Sequence, residues 1–157
     1  MNLIIRKASV RWKGGRGESR AVTTESGMLK RAKFSLGAPG KGQDHTDPAE
    51  LIAAAHAASF SQALSRELKL KPLTAGTIIT VATVTLERHA GNWTVMNIHL
   101  GVLAQIPKLS QSKFIDATLR AKSNCLVSRL LNATISMNAK LEKGGATPKT
   151  PRGRSRR

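Results

Sequence analysis

The 157-residue chain predicts a single α+β domain with the element order βββ-α-ββ-α-β. Three observations carry that reading. A helix has a clear start at Asp47-Pro48 and an apolar body, two β-branched segments meet at the tight-turn signal Ala90-Gly91-Asn92, and the flanking segments alternate apolar and polar residues at strand period. Strands interrupted by helices in this order suit a mixed or antiparallel sheet with its helices gathered on one side. An apolar share of 40% over this length supports one core and not two.

Taken in order, Leu3 to Trp12 reads as a first strand. Arg20 to Thr24 and Leu29 to Phe34 follow as two more, separated by turn signals at Lys13-Gly14-Gly15 and Ser26-Gly27. The loop Gly37-Ala38-Pro39-Gly40 breaks regular structure. Within Thr46-Asp47-Pro48-Ala49-Glu50, Asp47 is the N-cap and Pro48 occupies the first helical position, where a missing N–H costs nothing. Glu50 stands where it can reach back to the cap's amide. The helix should run to about Lys69, and Leu51 to Ala58 is apolar around most of its circumference, as in a long central helix buried on several sides.

Beyond Pro72, Thr77 to Arg88 and Trp93 to Gln105 form a long β-hairpin. Leu109 to Cys125 has helical spacing through Phe114, Ile115, Ala117, Leu119 and Ala121, and Leu126 to Leu131 continues as a second short helix. Ala133 to Leu141 alternates Ile135, Met137, Ala139 and Leu141 and closes as a strand. Residues 1–142 are thus the folded domain. Residues 143–157 hold six bases and, prolines apart, no apolar side chain larger than Ala146, so they read as a disordered basic tail.

Lys and Arg number 26 against 9 Asp and Glu, a net +17, so the surface field attracts polyanions. The charge is uneven: +8 over residues 1–41, −1 over 42–107 and +10 over 108–157. One Cys excludes a disulfide framework and a zinc knuckle. His45, His56, His89 and His99 lack the short spacings of a zinc site, and neither a metal nor a cofactor is expected. No apolar run approaches the roughly 18 residues that span a bilayer. The N-terminus lacks the long apolar stretch of a secretory signal. The expectation is a cytoplasmic protein with no membrane partner; an organellar matrix is the alternative, because residues 1–17 carry five bases and no acid.

Four motifs then occur in order: Thr24-Glu25-Ser26-Gly27; Asp47-Pro48-Ala49-Glu50-Leu51-Ile52-Ala53-Ala54-Ala55-His56-Ala57; Thr83-Val84-Thr85-Leu86-Glu87; and Asn124-Cys125-Leu126-Val127-Ser128. In these the chain resembles the OsmC family, including its organic hydroperoxide resistance (Ohr) branch, from about residue 3 to 142. The resemblance implies an OsmC-like fold, an intertwined homodimer with paired central helices, and a peroxide-reducing site. In that site a peroxidatic Cys on the central helix works with a second Cys near the start of a later helix, and a Glu and an Arg activate the first thiol. A thiolate attacks the peroxide, a cation favours that thiolate, and the second thiol forms a reducible disulfide.

Carried over residue by residue, the second Cys is Cys125. The activating Arg is Arg16, in Gly14-Gly15-Arg16-Gly17, or Arg20 if the correspondence slips. The peroxidatic position, three residues after His56, is Ser59, which cannot form a sulfenic acid. The family's Glu falls on Ala49, and the neighbouring Glu50 is already explained as a cap. Two-Cys chemistry is therefore lost.

Two functional readings follow. The leading one is a non-catalytic OsmC-family scaffold that binds nucleic acid through its basic termini, with Lys143, Lys149, Arg152, Arg154, Arg156 and Arg157 tracking phosphates. Aromatic residues are too few for base stacking, so such binding would ignore sequence. The competing reading is a thiol peroxidase in oxidative-stress defence that acts through Cys125 alone, helped by Arg16. His56 and Ser59 share a helix face and suggest a Ser-His nucleophile pair, but no acid is placed to orient the His, and a hydrogen-bonded core pair explains them as well.

Overall fold

The computed structural model describes residues 3–13, 19–34, 44–69 and 76–142. The chain divides into two compact units, Met1–Ala55 and His56–Arg157.

In the first unit, β1 (Ala8–Lys13), β2 (Ser19–Thr24) and β3 (Ala32–Lys33) form an antiparallel sheet in that order. Val22 is its buried side chain among the described residues. The first strand is shorter than expected. Residues 3–7 join no ladder and Leu3, Ile4 and Ile5 are exposed; the Lys7 carbonyl accepts from the Glu25 amide at 3.0 Å. The third strand also shrinks, because Arg31 adopts φ 54°, a left-handed conformation that no β-ladder accommodates.

The long helix α1 (Pro48–Glu67) starts as expected. The Asp47 carboxylate accepts from the Ala49 and Glu50 amides at 2.7 and 2.9 Å, satisfying two of the donors that a helix start leaves open. Glu50 does not reach back to the cap's amide. Its carboxylate instead accepts from the Thr46 hydroxyl, a stronger donor placed one residue earlier.

The second unit holds the rest of α1, then β4 (Thr77–His89), β5 (Asn92–Gln105), α2 (Gln111–Asn124), α3 (Leu126–Leu130) and β6 (Thr134–Glu142). β4 and β5 are an antiparallel hairpin closed by Ala90-Gly91, both left-handed at φ 48° and 89°, the turn whose twist matches that of the strands. A bulge between Thr85 and Leu86 shifts the register once. β5 and β6 run parallel, which requires the crossover that α2 and α3 supply. Along β5 the strand period buries Ile98, Leu100, Val102 and Ala104. Phe114, Ala117 and Ala121 of α2, with Phe60, Ala63 and Leu64 of α1, complete the core on that face, as a one-sided α+β arrangement requires.

The expectation that α1 is buried on several sides is not met within one chain. Its buried residues are His56, Phe60, Ala63 and Leu64, a single stripe, while Ala54, Ala55 and Ala58 are exposed. Alanine gives an apolar run without requiring burial, since it is the best helix former and its single methyl loses little when exposed.

Candidate functional site around Cys125

The helix α1 sets the buried His56 and the half-buried Ser59 one turn apart. Facing them, α2 ends at Asn124 and α3 begins at Leu126, with Cys125 as the extended residue between (φ −64°, ψ 125°) and wholly buried in the core. Cys125 Sγ lies 3.2 Å from Ser59 Oγ, and His56 Nε2 lies 2.8 Å from Ser128 Oγ. Two rungs therefore tie α1 to the start of α3, each using side chains three residues apart on its own segment. Behind them, Glu67 accepts from Arg120 Nε at 2.8 Å and Asn124 Nδ2 at 2.9 Å, pinning the end of α2 just before the cysteine. The Arg120 bond, followed by that of Asn124, holds the Glu67 carboxyl below its ordinary range.

Opposing influences meet at the sulfur. Burial, the largest, pushes the thiol pKa up; the hydroxyls of Ser128 and Ser59, with the Ser128 and Val127 amides at the head of α3, together pull it below its ordinary value. His56 is also buried, and burial pushes its pKa down, so the ring is neutral near pH 7. Its Nδ1 is buried without a hydrogen-bond partner among the described residues. A bare ring nitrogen is less costly to strand than an N–H, so the hydrogen-bond network assigns the proton to Nε2, donating to Ser128 Oγ. The Ser128 hydroxyl proton is then free for the sulfur, the polarity that favours a thiolate. Ser59 has no redox chemistry of its own; its hydroxyl accepts from the Cys125 thiol and can donate to the sulfur once that proton is lost. A sulfenic acid formed at Cys125 would find no other thiol in the chain, so its reductant must come from outside.

Cys125, Ser59 and His56 are thus brought together, though not in the pairing suggested by sequence. A Ser-His pair is not formed by His56 and Ser59, because Nε2 points across to Ser128 while Ser59 is taken by the thiol. Ala49 sits in the first turn of α1 and offers no carboxylate. Arg20 lies on β2 with its guanidinium 4.4 Å from the centroid of Trp12, its cross-strand neighbour. Arg16 and the tail residues Lys143, Lys149, Arg152, Arg154, Arg156 and Arg157 lie outside the described residues.

No cluster of His, Cys, Asp and Glu able to hold a metal occurs among the described residues, and no described helix is long and apolar enough to cross a membrane. Ser128 was not singled out from the sequence. Its signal was the spacing Cys125-x-x-Ser128, one helical turn, in a motif whose cysteine alone had drawn attention.

Comparison with known proteins bears on the family and the fold. The sequence pattern of the family described as OsmC-like protein matches residues 40–140. The chain is 35% identical over 141 residues to peroxiredoxin OsmC of Escherichia coli, covering 88% of this chain and 98% of that protein. Among solved structures, an OsmC-like protein of unknown function from Vibrio cholerae matches with a TM-score of 0.70 at 17% identity, over 88% of this chain and all of that one. The organic hydroperoxide resistance protein OhrB of Bacillus subtilis matches with a TM-score of 0.60 at 24% identity and the same coverage.

Proposed function

The chain belongs to the OsmC-like protein family, and on that premise we propose that it reduces hydroperoxides through Cys125 alone, with an external dithiol as reductant. The observation that carries this reading is the Cys125 sulfur itself, hydrogen-bonded to Ser59 at 3.2 Å and held below the ordinary thiol pKa by surrounding donors despite its burial. In the reaction the thiolate attacks one peroxide oxygen. An S–O bond forms, the O–O bond breaks, and the alkoxide leaves as an alcohol after taking a proton. Cys125 becomes a sulfenic acid. One thiol of the reductant condenses with it, releasing water and giving a mixed disulfide, and the second thiol displaces Cys125 as the reductant closes its own disulfide. Ser59, Ser128 and, through Ser128, His56 position and stabilise the sulfur anion.

The test is consumption of an organic hydroperoxide with excess dithiol by the wild-type chain, Cys125→Ser and Ser59→Cys. Turnover that disappears in Cys125→Ser supports the proposal. An inactive wild type that gains turnover in Ser59→Cys supports instead the non-catalytic scaffold, which the full burial of Cys125 and the serine at position 59 favour. In that scaffold the basic tail would carry nucleic-acid binding, a reading that rests on its composition. A homodimer is proposed on either account: Ala54, Ala55 and Ala58 on α1 are exposed, as are Leu126 and Leu130 at 73% and 76%, apolar surface that a second copy would cover. Sedimentation at twice the 16.9 kDa chain mass is expected.

A further inference from the structure

Within the first unit, the three-stranded sheet carries a hollow of about 650 Å3 in which, among the described residues, every charged lining side chain is a cation: Arg11, Lys13, Arg20, Arg31 and Lys33. The register explains it. Arg11 on β1 faces Ala21 on β2, which faces Lys33 on β3, so a row across the sheet runs cation, methyl group, cation. The small side chain on the central strand leaves a floor between two long basic ones. Lys13, two residues from Arg11, lies on the same face. In the next row Thr23 Oγ1 accepts from the Arg31 amide at 3.1 Å, which fixes the backbone bearing the fourth cation at the rim.

Arg31 is the second observation. Its φ of 54° is a conformation that glycine adopts freely and an L side chain only with strain. The turn at Arg31 brings its side chain into the lining of the hollow. Lys33 shares its charge with Asp44 at 2.6 Å, but no ion pair among the described residues involves Arg11, Lys13 or Arg31. Among the described residues the lining contains no aromatic ring, so recognition there falls first on phosphates. Its volume falls within the roughly 300–1,000 Å3 of small-molecule sites, smaller than an extended strand would need. Guanidinium forks match phosphate oxygens, and the net +17 draws anions toward them.

We propose that this hollow binds a compact oligophosphate, its phosphates paired with Arg11, Lys13 and Arg31 around the Ala21 floor. The site is independent of the Cys125 chemistry. The same phosphate chain occurs in a nucleoside triphosphate and in short inorganic polyphosphate, and the experiment separates these sources.

The test is calorimetric titration of the full chain with tripolyphosphate and with ATP at low salt. Binding is expected to weaken by about tenfold or more in Arg11→Ala/Arg31→Ala, and to stay within about twofold in Lys113→Ala/Lys140→Ala, which removes the same charge elsewhere. Ala21→Leu fills the floor without changing charge and should weaken binding too. Arg31→Gly should weaken binding while raising the melting temperature, opposite signs that a merely structural arginine would not produce. Equal affinity for the two probes assigns recognition to phosphates alone, and tighter ATP assigns it to a nucleotide; either supports the site. Absence of binding, equal losses in the control pair, or far tighter binding of a single-stranded oligonucleotide that requires Arg11 and Arg31 would overturn it.

Discussion

The two units treat charge in opposite ways. The second unit buries a continuous core, and the one reactive group inside it, the Cys125 thiol, is favoured as an anion by hydroxyl and amide donors rather than by an adjacent cation among the described residues. The first unit buries Val22 alone among its described side chains and leaves a row of cations in water. Where a core exists, a group's state is set by dipoles held in fixed geometry. Where none exists, it is set by how many like charges the backbone register gathers on one face. The first arrangement suits chemistry on a single atom and the second suits capture of a multiply charged ligand.

The sharpest way to expose this difference is to remove packing from the second unit. Phe114 is fully buried at the centre of the core, and Phe114→Ala should cost about 3–5 kcal/mol in a denaturant titration. Arg11→Ala, on an exposed side chain of β1, should cost less than about 0.5 kcal/mol in the same titration. A loss at Arg11 as large as that at Phe114 would show that the Arg11 side chain is packed rather than solvated.

Next in size is Ser128→Ala. It leaves His56 Nε2 buried without its partner and withdraws a donor from the sulfur, so stability should fall by about 1–3 kcal/mol. The thiol pKa, followed by the pH dependence of alkylation, should rise. Ser59→Ala should also raise it, by loss of the 3.2 Å bond, with a smaller effect on stability because His56 keeps its bond. If neither variant moves the alkylation profile, the hydroxyls do not set the state of Cys125. At the helix start, Asp47→Ala should cost about 1 kcal/mol through two lost cap bonds, and Asp47→Ser should recover most of it.

Much of the architecture was legible, because its signals are local. Asp47-Pro48 fixed the start of α1, Ala90-Gly91 fixed the hairpin, and the alternation Ile135, Met137, Ala139, Leu141 fixed β6. The ends of β1 and β3 were not legible. Leu3-Ile4-Ile5 has strand composition but no partner strand, and the backbone reversal at Arg31 has no glycine or asparagine to announce it. At the candidate site, the motifs led to Cys125, Ser59 and His56, but hydrogen-bond partners join residues 66 and 72 positions apart, and spacing on one helix could not reveal the exchange that pairs His56 with Ser128. The basic hollow was hidden for a related reason. Composition reported the excess of cations in residues 1–41, and only the register Arg11–Ala21–Lys33 gathers them on one face.

The smallest predicted effect separates the units by pH. His56 is neutral and its folded pKa lies below the ordinary 6.5, because burial disfavours the imidazolium. As pH falls through 6.5, the unfolded chain takes up a proton that the native chain refuses, so unfolding is favoured; the loss levels off once pH is below the folded pKa. The contribution is thus complete above pH 6.5 and declines on acidification from there. Asp44, Glu67 and Glu142 also have lowered pKa values, through bonds to Lys33, Arg120 and Lys140 in turn, but their contributions are lost only as pH falls below the ordinary carboxylate values of 3.8 and 4.5. Between pH 7 and 5.5 the melting temperature should therefore drop modestly in the wild type and more shallowly in His56→Gln, whose amide can still donate to Ser128. A wild-type curve flat across that window would show that burial does not lower the His56 pKa, and a melting temperature that rises on acidification would show that the fold favours the imidazolium; either outcome would overturn the neutral ring assigned to His56.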